Sequence, residues 1–387
     1  MRTLVVEDFV QMRKMVRRML EQMQRFDAID EAIDGEVAWR KIVESETNYD
    51  IVICDVGLPR MDGLTFLKRC REREEYRYIP FVMISESPHE PMLASALGEL
   101  GANDFVVKPF SFQLFVERVE MVLRRMRSRE ERLYRKAEQL TETGAINDAL
   151  DLIGEWERDN CMYLAKWYNL RGECLMRNGA LEDAAEQFEK AMAINRIFIK
   201  AFRNYATVQQ ELGNIDKVID TLKHIEELAP VDAERTIRLA EMLLQRGEEQ
   251  QGREYLEKVL KRGDIPNRAS ILKKVSAVYL ESGLFADAEK VYRLALGEEP
   301  EDIENINKLA ITLRQQGKFE EAEMCYLNAL KVHPRHPGLY HNLGVLYMAR
   351  HDGVKAKRCF ERALTFDPKS EQTQMMLAQA AKLLARK

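Results

Sequence analysis

Four residues of this chain, Asp8, Asp55, Ser85 and Lys108, each stand where a short apolar run ends: TLVVED, DIVICD, PFVMIS and DFVVKP. A weaker run, FDAIDEA, lies between the first two, and segments of helical period separate them. Strands alternating with helices predict a parallel sheet covered on both faces. In such sheets ligands bind outside the carboxyl ends of the strands. Two acids, a hydroxyl and an amine brought to that edge can take up a phosphoryl group on a carboxylate. Asp8, Asp55 and Glu7 gather negative charge that only Lys108 offsets, which suits a hard, hexacoordinate cation such as Mg²⁺. The cation and the ammonium would stabilise charge on a phosphoryl group moving onto Asp55, and Ser85 can hydrogen-bond it on arrival.

The elements that position these groups fill only the first third of 387 residues, a length that predicts two or three domains. A hydrophobic fraction of 46% with 32% charged residues excludes wholesale disorder. A net charge of −5 gives no global attraction to nucleic acid. The six cysteines (Cys54, Cys70, Cys161, Cys174, Cys325 and Cys359) form no C-x-x-C pair, which points to a reducing compartment rather than a disulfide framework or a zinc site. The start MRTLVVEDF enters a strand without the pattern of a signal peptide. No apolar run approaches the ~20 residues that span a bilayer, so the expectation is a cytoplasmic protein with no membrane contact. Met12, Met15, Met19 and Met23 recur at helical spacing and read as a core-facing stripe.

Residues 1–125 resemble the receiver domain of two-component response regulators over their whole length and in order. VVED resembles the family's acidic pair, DIVICDVGLPRMDGL its phosphoacceptor strand and following loop, PFVMIS its switch strand, and GANDFVVKPF the strand ending in Lys108 and Pro109. The resemblance implies a doubly wound five-stranded parallel sheet of flavodoxin-like order 2-1-3-4-5. It also implies phosphorylation on Asp55, and Mg²⁺ held by Glu7, Asp8, Asp55 and the Gly57 carbonyl. Ser85 and Lys108 would contact the phosphoryl group, Phe105 would be the switch aromatic, and the Lys108–Pro109 bond would be cis. Gly57 and Ser87, two residues past the phosphoacceptor and the switch hydroxyl, would leave the site open without a group to orient water. A histidine kinase or phosphotransfer protein would be the donor, and a homodimer through receiver faces is compatible with the resemblance.

Residues 110–140 carry neither proline nor glycine and predict a last receiver helix that runs on into the next domain, with 126–140 a helical junction. Its basic residues, Arg124 to Lys136, read as a solvated face paired with Glu130, Glu131 and Glu138. Beyond it an internal period appears. Gly283 and Gly317 lie 34 apart, with His351 in the place of a third glycine. Ala288, Ala322 and Ala356 keep that step, as do Ala295, Ala329 and Ala363; Tyr292, Tyr326 and Phe360; and Pro300, Pro334 and Pro368. Small residues let paired helices approach, large ones fill between pairs, and proline ends the second helix. The pattern closely resembles the tetratricopeptide repeat (TPR). It gives about seven copies over 130–368, degenerate at 130–164 and 233–268, and a capping helix over 369–387.

In a TPR superhelix the first helices of the repeats line a concave groove. Projection places Lys166, Asn169, Lys200, Arg203, Asn204, Arg238, Lys273, Asn307, Lys308 and Asn342 at or near it. These donors suit a peptide of acidic character or with a free C-terminus, although acids such as Glu173 intrude. His333, His336 and His341 bracket two prolines without a completing cysteine or acid and read as loop residues. The expected function is a phosphorelay response regulator with no catalysis beyond phosphoryl uptake and loss, and with output through protein binding. The alternative is a constitutive scaffold whose receiver docks regardless of phosphate.

Overall fold

Strand residues alternate between two cores. Leu4, Val6, Val52, Cys54, Phe81 and Met83 pack with Ala38, Ile42, Phe66 and Leu67 on one side of the sheet. Val5, Ile51, Ile53, Val82, Ile84 and Val106 pack with Val16, Leu20, Phe115 and Val119 on the other. Strands buried on both faces read as near-continuous apolar runs, as parallel sheets require. The elements are β1 (Arg2–Val6), α1 (Val10–Gln22), β2 (Ala28–Ala32), α2 (Gly35–Glu44), β3 (Ile51–Asp55), α3 (Gly63–Arg71), β4 (Phe81–Ser85), β5 (Asp104–Val107) and α4 (Phe112–Met126). All strand pairs are parallel, in the expected order β2-β1-β3-β4-β5. Met12 and Met19 of α1 and Met23 just past its end lie against the core around Val16 and Leu20, so three of the four methionines of the stripe face inward.

This computed structural model describes residues 1–45, 48–86, 100–159, 164–230, 232–262 and 267–385. Ser87 and Cys161 lie outside the described residues, as do parts of the repeats expected at 130–164, 199–232 and 233–268 and the end of the capping helix. The chain forms two compact units, Met1–Asp232 and Ala233–Lys387.

Within the first unit, the expected continuous helix across the junction is interrupted. Helix α4 ends at Met126, and α5 (Arg129–Thr143) starts anew after Ser128, whose hydroxyl accepts the Glu131 amide at 3.1 Å. Ser128 has extended backbone angles, φ −66° and ψ 152°, and Glu130 and Glu131 place negative charge on the new first turn. A serine N-cap followed by acids at the positive end of a helix is enough to restart it. The signal was in the sequence as Ser128-x-x-Glu131, a capping-box spacing.

The loop between α3 and β4 rests on α5. Arg77 pairs with Glu142, the Tyr78 hydroxyl donates to Glu138 Oε2 at 3.0 Å, and the Arg135 guanidinium lies 4.8 Å from the Tyr78 ring centroid. Burial pushes the Tyr78 phenol up to about 12, with Glu138 adding to the shift, so it remains a donor at neutral pH. Paired helices follow α5: Ile146–Asp159, then Ala165–Arg177 with Leu181–Ile194, then Ile199–Glu211 with Ile215–Leu228.

The second unit continues the paired helices from Ala233–Gln245 to Gly353–Phe366 and ends with Glu371–Ala385. Its columns are buried as the period predicts. Ala288, Ala322, Ala356, Tyr292, Tyr326 and Phe360 share one core with Ala380 of the last helix. Gly344 is packed so tightly that an added Cβ would lie 2.6 Å from the Phe360 ring, which explains the small residue there. The turn inside each pair needs a left-handed residue. Gly144, Gly179, Gly213, Gly247, Gly283 and Gly317 take φ between 75° and 84°, and His351 takes φ 57° at the seventh such turn.

A non-glycine residue in that region costs about 1 kcal/mol or more. His351 is exposed, so removing its side chain sacrifices little packing. His351→Gly should therefore stabilise the second unit by about 1 kcal/mol. A rise in the denaturant midpoint at unchanged m-value is the expected result.

Candidate functional site

The parallel register brings the four strand ends to one edge. Val6 stands opposite Cys54, Asp55 opposite Ile84, and Ser85 opposite Val107, so Glu7, Asp8, Asp55, Ser85 and Lys108 converge. Backbone bonds fix the rims: Lys108 N donates to Ser85 O at 2.7 Å and Val56 N to Ile84 O at 2.9 Å. The Lys108–Pro109 peptide is cis, as expected.

Lys108 Nζ lies 2.9 Å from Asp55 Oδ1 and 3.0 Å from Glu7 Oε2. Carboxylate oxygens of Glu7, Asp8 and Asp55 all fall within 4.8 Å of one another, with Glu7 and Asp55 buried and Asp8 exposed. No other cluster of three or more potential metal ligands occurs among the described residues. His336 instead accepts the Leu339 amide at a helix start, and His341 Nδ1 bonds Thr373 Oγ1 at 2.9 Å.

Burial raises the Glu7 carboxyl above its ordinary value and the neighbouring Asp55 charge adds to this, against the pull of Lys108. Asp55 is raised likewise, by burial first and also by Asp8, again against Lys108. For Lys108 burial acts downward, but the two carboxylates outweigh it and the net shift is upward. The site is thus short of positive charge. Three hard oxygen donors with a single ammonium fit Mg²⁺, which takes carboxylate oxygens and keeps other positions for water or phosphate.

Gly57 is open as expected: a Cβ there would meet only Asp55 Oδ2, at 3.7 Å. Ser85 is buried at the end of β4, and Phe105 is half-buried against the core that includes Cys54 and Met83. A residue whose packing role the sequence does not announce is Gly63, where an added Cβ would collide with the Asp55 carbonyl oxygen. Its local signal is the Asp-Gly pair at the start of α3, where Asp62 caps the helix and Gly63 N donates to Val56 O.

The residues expected in the repeat groove are placed differently from free donors. Asn169 is buried and donates to Glu173 Oε1 at 2.7 Å; Asn204 donates to the same oxygen at 2.9 Å and to Asn169 Oδ1 at 3.0 Å. Lys200 Nζ is 2.8 Å from Glu173 Oε1, and Lys166 sits between Glu130 and Glu131 at 3.1 and 3.0 Å. In the second unit Lys273 pairs with Glu299 and Asp302, while Asn307 Oδ1 accepts from Asn342 at 2.8 Å and from the Tyr326 hydroxyl at 3.0 Å. Arg203 and Arg238 are exposed and Lys308 half-buried. The acids that the sequence reading counted as intrusions hold several of these donors.

The response regulator receiver domain family matches residues 3–120, and two tetratricopeptide repeat families match 227–303 and 302–369. Chemotaxis protein CheY1 of Helicobacter pylori is 32% identical over 123 residues, 32% of this chain and 97% of that protein. Chemotaxis protein CheY-3 of Vibrio cholerae is 32% identical over 127 residues, 33% of this chain and 94% of that protein. A solved structure, the C-terminal part of a TPR repeat-containing protein from Cytophaga hutchinsonii, covers 63% of this chain and 99% of its own at 15% identity and a TM-score of 0.49. The chain belongs to the response regulator receiver family, with TPR repeats following the receiver. No helix among the described residues is long and apolar enough to cross a membrane.

The charge shortage yields a signed prediction. Asp55→Asn removes one of three crowded carboxylates while Lys108 keeps Glu7, so the metal-free variant should be more stable than the parent, by about 1 kcal/mol. Folded Glu7 and Asp55 hold protons that the unfolded chain has already lost, so the parent loses stability as pH rises just above the ordinary carboxylate range. The stability gap should open over that rise. Mg²⁺ at a hundred times its dissociation constant should stabilise the parent by about 2.7 kcal/mol and the variant by less. Thermal melts across pH, with and without Mg²⁺, measure both effects.

Proposed function

We propose that this chain is a cytoplasmic phosphorelay response regulator whose output is protein binding by its repeats. The observation that carries the reading is the Lys108 bridge between Asp55 and Glu7, with the Asp8 carboxylate beside it at the carboxyl edge of the sheet. Asp55 is the phosphoacceptor, and Glu7, Asp8, Asp55 and the Gly57 carbonyl would hold Mg²⁺. When bound, Mg²⁺ supplies positive charge for the phosphoryl oxygens.

An Asp55 carboxylate oxygen attacks phosphorus, the bond to the donor histidine nitrogen breaks, and the nitrogen keeps the electron pair. Lys108 neutralises charge on the incoming group, and Ser85 donates to a phosphoryl oxygen once it has arrived. Phe105, half-buried on β5 opposite Met83, follows Ser85 as the switch aromatic. The chain divides into a receiver over 1–125, a helical junction over 126–140, about seven repeats over 130–368 and a capping helix over 369–387. Each unit contributes its own repeat surface, with Lys166, Asn169, Lys200, Arg203 and Asn204 in the first and Arg238, Lys273, Asn307, Lys308 and Asn342 in the second, and the ligand is an acidic or C-terminal peptide segment.

One observation favours the second reading, a constitutive scaffold. The loop that docks on α5 precedes β4, so it lies at the amino edge of the sheet, opposite Asp55. A repeat domain anchored there need not sense phosphate.

Incubation with acetyl phosphate and Mg²⁺ should add one phosphoryl group to the parent and none to Asp55→Asn, as read by intact mass. Absence of uptake by the parent overturns the reading. Between the two outputs, partner capture with Mg²⁺ alone and with Mg²⁺ plus beryllium fluoride discriminates. A change in the parent that is absent in Asp55→Ala supports gating, whereas equal capture throughout supports the scaffold.

A further inference from the structure

The turn that carries Glu7 and Asp8 has few bonds of its own. Glu7 N donates to Ala32 O at 3.1 Å, and Phe9 N to Glu7 Oε1 at 3.3 Å. One side chain reaches over it from α1. Arg13 Nη1 donates to the Glu7 carbonyl at 2.7 Å and to the Asp8 carbonyl at 3.2 Å. Its Nε donates to Glu31 Oε2 on β2 at 3.1 Å, and the side chain is only 12% exposed. Arg17, one turn further along α1, donates from Nη1 to the other Glu31 oxygen at 2.8 Å.

A guanidinium that takes two successive carbonyls fixes the peptide plane between residues 7 and 8, and with it the directions in which both acidic side chains leave the backbone. Adjacent carboxylates repel, and an unbraced turn relaxes by separating them. The planar fork of arginine can hold two carbonyls and a carboxylate at once, whereas a lysine ammonium cannot span them. The brace carries a hazard, because its positive charge stands near a site that must attract a cation. Glu31 offsets it by pairing with Arg13 from the neighbouring strand, and Arg17, which shares Glu31, is paired with Glu21 at 2.9 Å as well.

We propose that Arg13, neutralised by Glu31, is a positioning residue that holds the Glu7 and Asp8 carboxylates together for Mg²⁺. The inference rests on the receiver reading above and concerns residues outside the acidic cluster itself. Groups that bind around metal ligands rather than to the metal typically change affinity by about 10–100-fold when removed.

The test is Mg²⁺ affinity by isothermal titration on the full chain, at a temperature where circular dichroism shows each variant folded. Arg13→Ala should weaken Mg²⁺ binding by about tenfold or more. Arg13→Lys keeps the charge and serves should the alanine variant fail to fold; it should recover little of the loss. Glu31→Gln leaves Arg13 in place but unneutralised, and should weaken binding by a smaller factor that shrinks as salt is raised. A purely structural Arg13 would lower the melting temperature and leave Mg²⁺ affinity unchanged, and that result overturns the proposal. So does tighter binding by Arg13→Ala, the outcome expected if Arg13 acted only as a repelling charge. An unsubstituted chain that binds no Mg²⁺ would overturn the receiver reading and this inference with it.

Discussion

Three carboxylates share the edge of one sheet with a single ammonium, and much of the first domain can be understood as what holds them there. Glu7 and Asp55 are buried, and each is pushed toward its protonated form by that burial, so the arrangement is unfavourable taken alone. It persists because β1, β3 and β5 deliver the groups from a sheet buried on both faces, where moving one strand end would disturb two cores at once. Gly63 shows how little slack remains, since even a methyl group there would collide with the Asp55 carbonyl. The surplus negative charge is what suits the site to a divalent cation such as Mg²⁺.

The first unit has a second centre of constraint at the opposite edge of the sheet. Tyr78 and Arg77 engage Glu138 and Glu142 of α5, and Arg125 and Asn103 tie the end of α4 to the start of β5 through a 2.8 Å bond from guanidinium to carbonyl. Helix α4 begins just past Lys108 and Pro109 and ends at Met126, whose sulfur contacts Asn103. Its fifteen residues span about 22 Å, so one rigid element runs between the acidic cluster and the docked helix α5. An Arg–Glu pair this exposed contributes at most about 1 kcal/mol, and the half-buried Tyr78, with its ring covered and its hydroxyl bonded, makes the more specific contact.

Legibility in the sequence followed the range of the interactions. Strand ends and repeat columns are local or periodic, so Asp8, Asp55, Ser85, Lys108 and the alanine and aromatic columns could be read directly. His351 could be placed at a glycine position from the period alone, and its backbone does adopt the left-handed form. The break at Ser128 was legible but was outweighed by the absence of glycine and proline around it. Arg13 and Tyr78 were not legible. Each acts on residues whose proximity depends on packing, and nothing in Arg-x-x-x-Arg or Arg-Tyr announces a brace or a dock.

The repeat donors show the same difficulty from the other side. Projection onto a repeat pattern identifies which residues share a face but not which of them are already satisfied. Lys200, Asn169 and Asn204 converge on Glu173, so they cannot be counted as vacant affinity. A ligand carboxylate in their place must displace Glu173, exchanging one charge-assisted set of bonds for another. Such an exchange contributes little net free energy, because bonds are lost as well as made and a partner left unsatisfied costs about 1–3 kcal/mol. Binding there would draw its strength from apolar contacts around the exchange, and the polar residues would select which peptide is accepted rather than how tightly it is held.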